Sequence, residues 1–368
     1  MRARGGPADW PRGVLAAVPT PFDADGRVAL AAVAPLLDDV AVRGGHGALL
    51  AGSTGEGPSL ALDERLALVR AAAAWRASRP PGAAPFALLC GSGHPAWPEA
   101  ARATADVVAA GADAAVVLPP YYFRGVADDG LEGWFRRVID DAAARLAGGG
   151  FEGRDGAVAA DRGDSRPALR CLLYDIPRLT GVPVPTAVLR RLANHFGPAG
   201  PLVGLKDSGG DAAETRRRVA DLPDLAVLTG TDGHLADHLA GGGAGAITAV
   251  AALRIDLLRR VWDRSAAVGV GEATAGRRAA DARAAAVTAA PTADGPWTAL
   301  AAAQADLDRA RAVLDRWPTA AAVKAALAAR LGGDGWHVRP PLTALTPGDA
   351  AAFVQAMAAI DPPARSDG

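Results

Sequence analysis

Residues 202–211 read Leu-Val-Gly-Leu-Lys-Asp-Ser-Gly-Gly-Asp. A short apolar run ends in a lysine and passes directly into a glycine-rich turn. That is the pattern of a buried strand delivering one ionisable group at its C-terminal end. The lysine, Lys206, is one of only two among 39 basic side chains; Lys324 is the other and the rest are arginines. Arginine keeps its proton in a protein and so cannot act as an amine nucleophile, whereas lysine can. A lysine retained in an arginine-dominated chain therefore marks a place where arginine cannot serve. Tyrosine is equally scarce: Tyr121, Tyr122 and Tyr174 each end another apolar, strand-like run. The combination suggests a Schiff-base lysine served by tyrosine acid/base groups. On these grounds alone, a salt-bridged or snorkelling lysine fits equally well.

Outward from this stretch the same unit repeats. Apolar runs at 14–18, 47–51, 85–90, 113–118, 169–173, 202–205, 225–228 and 245–248 predict eight strands. Helical spacing follows at 28–42, 62–77, 99–109, 131–147, 186–196, 212–222 and 234–240. Strands alternating with helices predict an α/β chain folded as a (β/α)8 TIM barrel. The polar and glycine-rich motifs all follow strands, so the barrel would gather them on one face, where sites form. The barrel is expected over 12–255, with a Gly-, Asp- and Arg-rich insertion at 148–167. An Ala-rich helical region is expected over 256–362, with helices at 257–267, 297–315 and 320–331 and a second insertion at 269–296.

Composition narrows the function classes. The chain has 368 residues, half of them hydrophobic, and a formal net charge of −1. Its arginines are scattered among acids, which does not make a nucleic-acid face. Cys90 and Cys171 both sit in apolar runs and read as buried free thiols of a reducing compartment. The first 21 residues lack an adequate apolar segment and are interrupted by Pro11, Pro19 and Pro21, so no signal peptide is evident. The longest uncharged apolar stretch, 239–253, is short and glycine-rich, so no membrane span is expected. The expectation is a cytoplasmic protein without nucleic-acid or membrane partners.

Five motifs in order carry a resemblance: Ala17-Val18-Pro19-Thr20-Pro21-Phe22, Gly52-Ser53-Thr54-Gly55-Glu56, Pro120-Tyr121-Tyr122, Tyr174-Asp175-Ile176-Pro177 and Gly204-Leu205-Lys206-Asp207-Ser208. Pro318, Val323-Lys324 and Arg339-Pro340-Pro341-Leu342 fit the C-terminal part. The chain resembles the pyruvate-dependent class I aldolases that include dihydrodipicolinate synthase and N-acetylneuraminate lyase. Its 111–115 and 206–211 stretches are similar to 4-hydroxy-2-oxoglutarate aldolases. Any one motif would be weak; five in order, over nearly the whole chain apart from the insertions, are specific.

The resemblance implies a lyase that makes or breaks a carbon–carbon bond to pyruvate through an iminium on Lys206. An ordinary lysine amine is neutral in only about one molecule in 2500 at pH 7, so such chemistry needs a site that favours the neutral form. Tyr174 matches the tyrosine beside the Schiff base, and Tyr122 the one that enters a neighbouring subunit's site and links through the Ser53 hydroxyl. That implies a homo-oligomer, a homodimer or a homotetramer. Gly52, Ser53 and Thr54 match the turn that binds a 2-oxo acid carboxylate; without the match they read as helix-start caps. Asp175, Arg178, Ser208, Asp232 and Thr248 all follow strands and are candidates for binding the rest of the substrate. Asp232 with His234 and His238 could also be read as metal ligands, but a Schiff-base lysine needs no metal, and neither metal nor cofactor is expected. The synthase type carries an arginine two residues after the proline of Tyr-x-x-Pro; here that residue is Leu179. Sialic acid lyases carry a glutamate where this chain has Gly233. A small 4-hydroxy-2-oxo acid or a deoxy sugar acid remains. The alternatives are a dehydratase of a 2-oxo sugar acid, dihydrodipicolinate synthase itself, or a catalytically silent 2-oxo-acid-binding protein.

Overall fold

The structure is a computed structural model that describes residues 11–148, 167–269 and 295–360. The expected insertions lie outside the described residues, apart from their ends. Eight parallel strands close into a barrel in sequence order. They are β1 (Gly13–Ala17), β2 (Gly47–Leu50), β3 (Ala87–Gly91), β4 (Ala114–Val117), β5 (Cys171–Asp175), β6 (Leu202–Asp207), β7 (Ala226–Thr229) and β8 (Gly245–Thr248). The barrel wall is wrapped by α1 (Val33–Val42), α2 (Leu62–Ser78), α3 (Trp97–Ala109), α4 (Asp128–Gly148), the single turn α5 (Pro177–Thr180), α6 (Thr186–Phe196), α7 (Ala212–Asp221), α8 (Leu235–Ala240) and α9 (Ala251–Ala267). Beyond them come α10 (Pro296–Leu314), α11 (Thr319–Leu331) and α12 (Pro347–Ala358).

Two apolar layers follow from period-two alternation in the strands. Leu15, Leu49, Leu89, Val116, Leu172 and Ile247 fill the barrel interior. The outward set, such as Val14, Leu50, Cys90, Val117 and Leu173, packs under the helices. Cys90 and Cys171 are buried free thiols, and burial pushes both up to about 12.

The strands that carry the candidate site differ from the sequence expectation in an instructive way. The expected strands stop before Tyr174 and Lys206, whereas β5 runs through Asp175 and β6 through Asp207. Tyr174 and Lys206 lie directly opposite each other in the ladder, as do Asp175 and Asp207. Cys171 pairs with Leu202 and Leu172 with Gly204, which leaves Val203 as an extra residue, a β-bulge. The bulge resets the alternation. Val203 points into the barrel. An unbroken strand would then turn Leu205 and Asp207 inward and Lys206 out. Instead Leu205 joins the outer layer, and the Lys206 amine lies 4.1 Å from the centroid of the inward Tyr174 ring.

Gly204 makes the bulge possible, because a Cβ there would sit 2.5 Å from the Ala226 carbonyl oxygen of β7. Gly204→Ala must push β6 off β7. We expect a loss of about 1–3 kcal/mol in stability by urea denaturation, together with weaker chemistry at Lys206. Wild-type stability in this variant would show that the close approach is dispensable.

Candidate active site

Lys206 is 3 % exposed, and no carboxylate forms an ion pair with it among the described residues. Its partner across the ladder is the Tyr174 ring. Burial pushes the Tyr174 phenol up, but the Lys206 charge and hydrogen bonding from Ser53, Lys206 and Ser208 outweigh it, so the net shift is downward. Lys206, Tyr174, Ser53 and Ser208 are thus brought together from β6, β5 and the turn after β2. A phenol beside an amine and two hydroxyls, with its acidity raised, is suited to passing protons.

The 52–57 turn is closed by Gly57 N–H to the Gly52 carbonyl at 2.9 Å and by Glu56 N–H to the Ser53 carbonyl at 3.2 Å. The Thr20 hydroxyl donates to the Gly55 carbonyl at 2.6 Å. Among the described residues, the N–H groups of Ser53, Thr54 and Gly55 donate to no backbone carbonyl. Successive free N–H groups at a turn are anion-binding geometry. Ser53 and Tyr174 line a cleft with Gly52, Gly91, Tyr121 and Arg65.

Arg65 was not anticipated from sequence. It is buried on α2 and donates to the Gly57 carbonyl at 2.6 Å and the Gly91 carbonyl at 2.7 Å, joining the turn to the end of β3. Its signal was present: Arg65 falls in register with Leu68, Val69 and Ala72 on the apolar face of its helix.

Asp175, expected at the substrate, is turned outward instead. It accepts from Val184 N–H at 3.1 Å and from Arg218 at 2.7 Å. Asp207 lies 3.1 Å from the same Arg218 nitrogen and accepts from the Gly209 N–H and the Thr215 hydroxyl. Burial raises Asp175, against the pull of Arg218. These are wall contacts under α7. Arg178 is exposed on α5, next to Leu179. Tyr122 is 79 % exposed on the loop after β4, its ring edge-on to Phe123 at 5.7 Å, and does not reach Tyr174.

Asp232 and Thr248 come together at the ends of β7 and β8. Asp232 is fully buried, and neither carboxylate oxygen has a hydrogen-bond partner of good geometry. The Arg311 guanidinium of α10 stands 3.7 Å away. Burial pushes Asp232 up to about 6, with Thr248 and Arg311 opposing. His238 lies in the wall, its Nε2 2.9 Å from the Val227 carbonyl, and burial holds it down to about 4, hence neutral at pH 7. His234, expected inside the helix, precedes α8 in a short 3-10 turn.

Residues 10–146 and 165–277 match the sequence profile of the Dihydrodipicolinate synthetase family. The chain belongs to that family. The unmatched gap coincides with the first expected insertion. A relative described as an uncharacterized DapA-like lyase, from Chloroflexus aurantiacus, is 32% identical over 254 residues, spanning 69% of this chain and 74% of its own. A 4-hydroxy-tetrahydrodipicolinate synthase from Synechococcus is 33% identical over 236 residues, 64% of this chain and 67% of its own. Among solved structures, dihydrodipicolinate synthase from Agrobacterium tumefaciens superposes with a TM-score of 0.69 at 28% identity, covering 95% of this chain and 99% of that one. A prophage protein of the same family from E. coli, solved in complex with pyruvate, gives a TM-score of 0.72 at 24% identity over 95% and 99% of the two chains. The family members named here are lyases and synthases, and the chain is an enzyme of that lyase class. No helix among the described residues is long and apolar enough to cross a membrane.

The buried Asp232 makes stability depend on pH. Its folded value, about 6, lies above the ordinary 3.8. Its contribution is therefore fully present below about pH 3.8 and is lost as pH rises through about 6. Asp232→Asn should gain on wild type over that window by up to about 3 kcal/mol and stay level above it. Denaturant melts of both proteins at pH steps of about one unit test this. A pH-independent difference would mean that the carboxyl keeps its ordinary acidity.

Proposed function

We propose that this chain is a class I aldolase that cleaves or forms a carbon–carbon bond to pyruvate through an iminium on Lys206. The observation that carries the reading is the ladder pair itself: an amine without a carboxylate partner facing a phenol of raised acidity, beside a turn of free N–H groups. A catalytically silent binder would not need this pair.

In the cleavage direction, the 52–57 turn receives the carboxylate of a 4-hydroxy-2-oxo acid. The neutral Lys206 amine attacks C2, the Tyr174 phenol gives its proton to the departing hydroxyl, and water leaves an iminium beside a phenolate. Tyr174, now phenolate, takes the proton of the 4-hydroxyl. The C3–C4 bond breaks, its electron pair moves into the iminium to give an enamine, and the aldehyde leaves. Protonation at C3 and hydrolysis release pyruvate and the free amine. Ser53 and Ser208 are the hydroxyls through which Tyr174 exchanges protons. Asp232 and Thr248, expected at the distal half of the substrate, take no part: Asp232 is fully buried beneath Arg311, and Thr248 follows the inward Ile247 onto the outer face, where its hydroxyl accepts the Ala251 N–H.

Leu179 supports a substrate other than aspartate semialdehyde. It is 59 % exposed where the synthase type places a carboxylate-binding arginine, and Arg178 is one residue out of step. A small 4-hydroxy-2-oxo acid or a deoxy sugar acid fits better. A dehydratase would use the same iminium, and the family relationship leaves synthase activity as the second reading.

Pyruvate and borohydride should modify wild-type protein on the peptide carrying Lys206, not on that carrying Lys324. Lys206→Arg should fold and resist modification. Modification of that variant at the wild-type level would sink the assignment. Pyruvate release from a 4-hydroxy-2-oxo acid, coupled to lactate dehydrogenase, should exceed condensation of pyruvate with aspartate semialdehyde. The reverse ranking would favour the synthase.

The exposed Tyr122 supports a homo-oligomer in which a neighbour's loop completes each site. Mixing inactive Tyr122→Phe with inactive Lys206→Arg under subunit exchange should restore part of the activity. Full activity in a monomer by light scattering would rule the arrangement out.

A further inference from the structure

Lys324, the second lysine, belongs to none of the chemistry above, yet it is 1 % exposed. It lies on α11, 268 residues from Glu56, and its amine donates to Glu56 Oε1. It also donates to the His337 carbonyl, and it stands 4.3 Å from the Phe22 ring centroid. Glu56 Oε2 accepts the Arg339 N–H at 2.9 Å. The Arg339 guanidinium covers Phe22 at 4.2 Å and binds the Ser59 carbonyl and Glu64. Phe22 itself donates to the Gly335 carbonyl at 2.8 Å and accepts from His337 N–H at 3.1 Å.

Glu56 is the residue all of this grips, and its backbone is left-handed, at φ 53° and ψ 35°. A residue with a Cβ holds that conformation only where its surroundings impose it. It sits one residue before the Gly57 N–H that closes the 52–57 turn. The turn is thus fixed from a region more than two hundred and fifty residues downstream.

We propose that Glu56 and Lys324 are positioning residues: through their ion pair, the C-terminal helical region holds the 52–57 turn in the shape that receives the substrate carboxylate. The inference rests on the reading of that turn given under the proposed function. It separates binding from chemistry, because Lys206 and Tyr174 are held by the β5–β6 ladder and not by this pair.

The test compares wild type with Lys324→Met, Glu56→Gln, Glu56→Gly and the double Glu56→Gln/Lys324→Met. Borohydride modification of Lys206 is followed against pyruvate concentration, with melting curves alongside. The half-saturating pyruvate concentration should rise about tenfold or more, with the plateau kept within about twofold. Glycine is at ease at the left-handed position but leaves Lys324 without its carboxylate, whereas the double variant leaves no unpaired buried charge. The double variant carries the comparison if the single variants do not fold. Unchanged half-saturation in the folded variants overturns the inference. A lower plateau at unchanged half-saturation also overturns it, since that is lost folded protein and not lost positioning. No modification of wild type overturns the Schiff-base reading, and this inference with it.

Discussion

Arg218 reaches from α7 under the wall of the barrel and lies between two buried carboxylates, 2.7 Å from Asp175 and 3.1 Å from Asp207. Those aspartates are the chain neighbours of Tyr174 and Lys206, and the two pairs are adjacent rungs of one ladder. The outer rung and the inner rung therefore stand or fall together. A slip of one residue between β5 and β6 would turn every side chain to the other face, leaving Arg218 without its partners and the amine outside. Taking one partner from a buried charge cluster costs about 3–5 kcal/mol, comparable to much of the stability of a domain. A buried ion cluster is weak evidence for net stability, but this one is satisfied in the register that pairs Asp175 with Asp207, and that register is the one that makes a site.

Why the interior face then works follows from the same constraint. Side chains at the C-terminal ends of parallel strands emerge into a mouth lined by loops. Two neighbours in one ladder need no loop to bring them together. The amine and the phenol inherit their spacing from the sheet, and only the Ser53 and Ser208 hydroxyls are brought by turns. Charge on Lys206 lowers the phenol, and the Arg218 cluster lies across the strands in the outer layer. Opposite faces of two strands thus carry opposite tasks, fixation outside and proton transfer inside.

Much of this was legible in sequence. Periodicity alone placed β8 at 245–248 and α6 at 186–196, and eight βα units implied the barrel. The lysine was found by its rarity and position. What escaped is local in chemistry but long in range. The bulge at Val203 leaves no composition signal beyond Gly204, whose meaning depends on the Ala226 carbonyl of another strand. Asp175 reads as lying beyond a strand, as a substrate contact would, but β5 runs on through it, and the unbroken alternation of Leu172 and Tyr174 inward and Leu173 outward puts Asp175 on the outer face. The expected fifth and sixth strands ended two residues short because Tyr174-Asp175 and Lys206-Asp207 are polar, and polarity reads as loop until their partners are known.

Rarity pointed to two lysines, and the fold separates them. Both are buried, and at neither are a compact amine and a planar guanidinium interchangeable. Lys324 has a carboxylate, a carbonyl and a ring face around it, so its charge is compensated and its lone pair is unavailable while the pair holds. Burial brings it down to about 8, with Glu56 resisting. Lys206 has a ring, two hydroxyls nearby through Tyr174, and no ion-paired carboxylate among the described residues. Lys206 stands at the C-terminal end of β6, where a carbonyl carbon can reach it, whereas Lys324 is enclosed by Glu56, His337 and Phe22. The same scarcity that flagged the nucleophile thus flagged the residue that fixes the turn beside it. A composition bias that removes lysine wherever arginine suffices leaves a chain in which each remaining lysine reports a geometric requirement, and here the two requirements converge on one mouth.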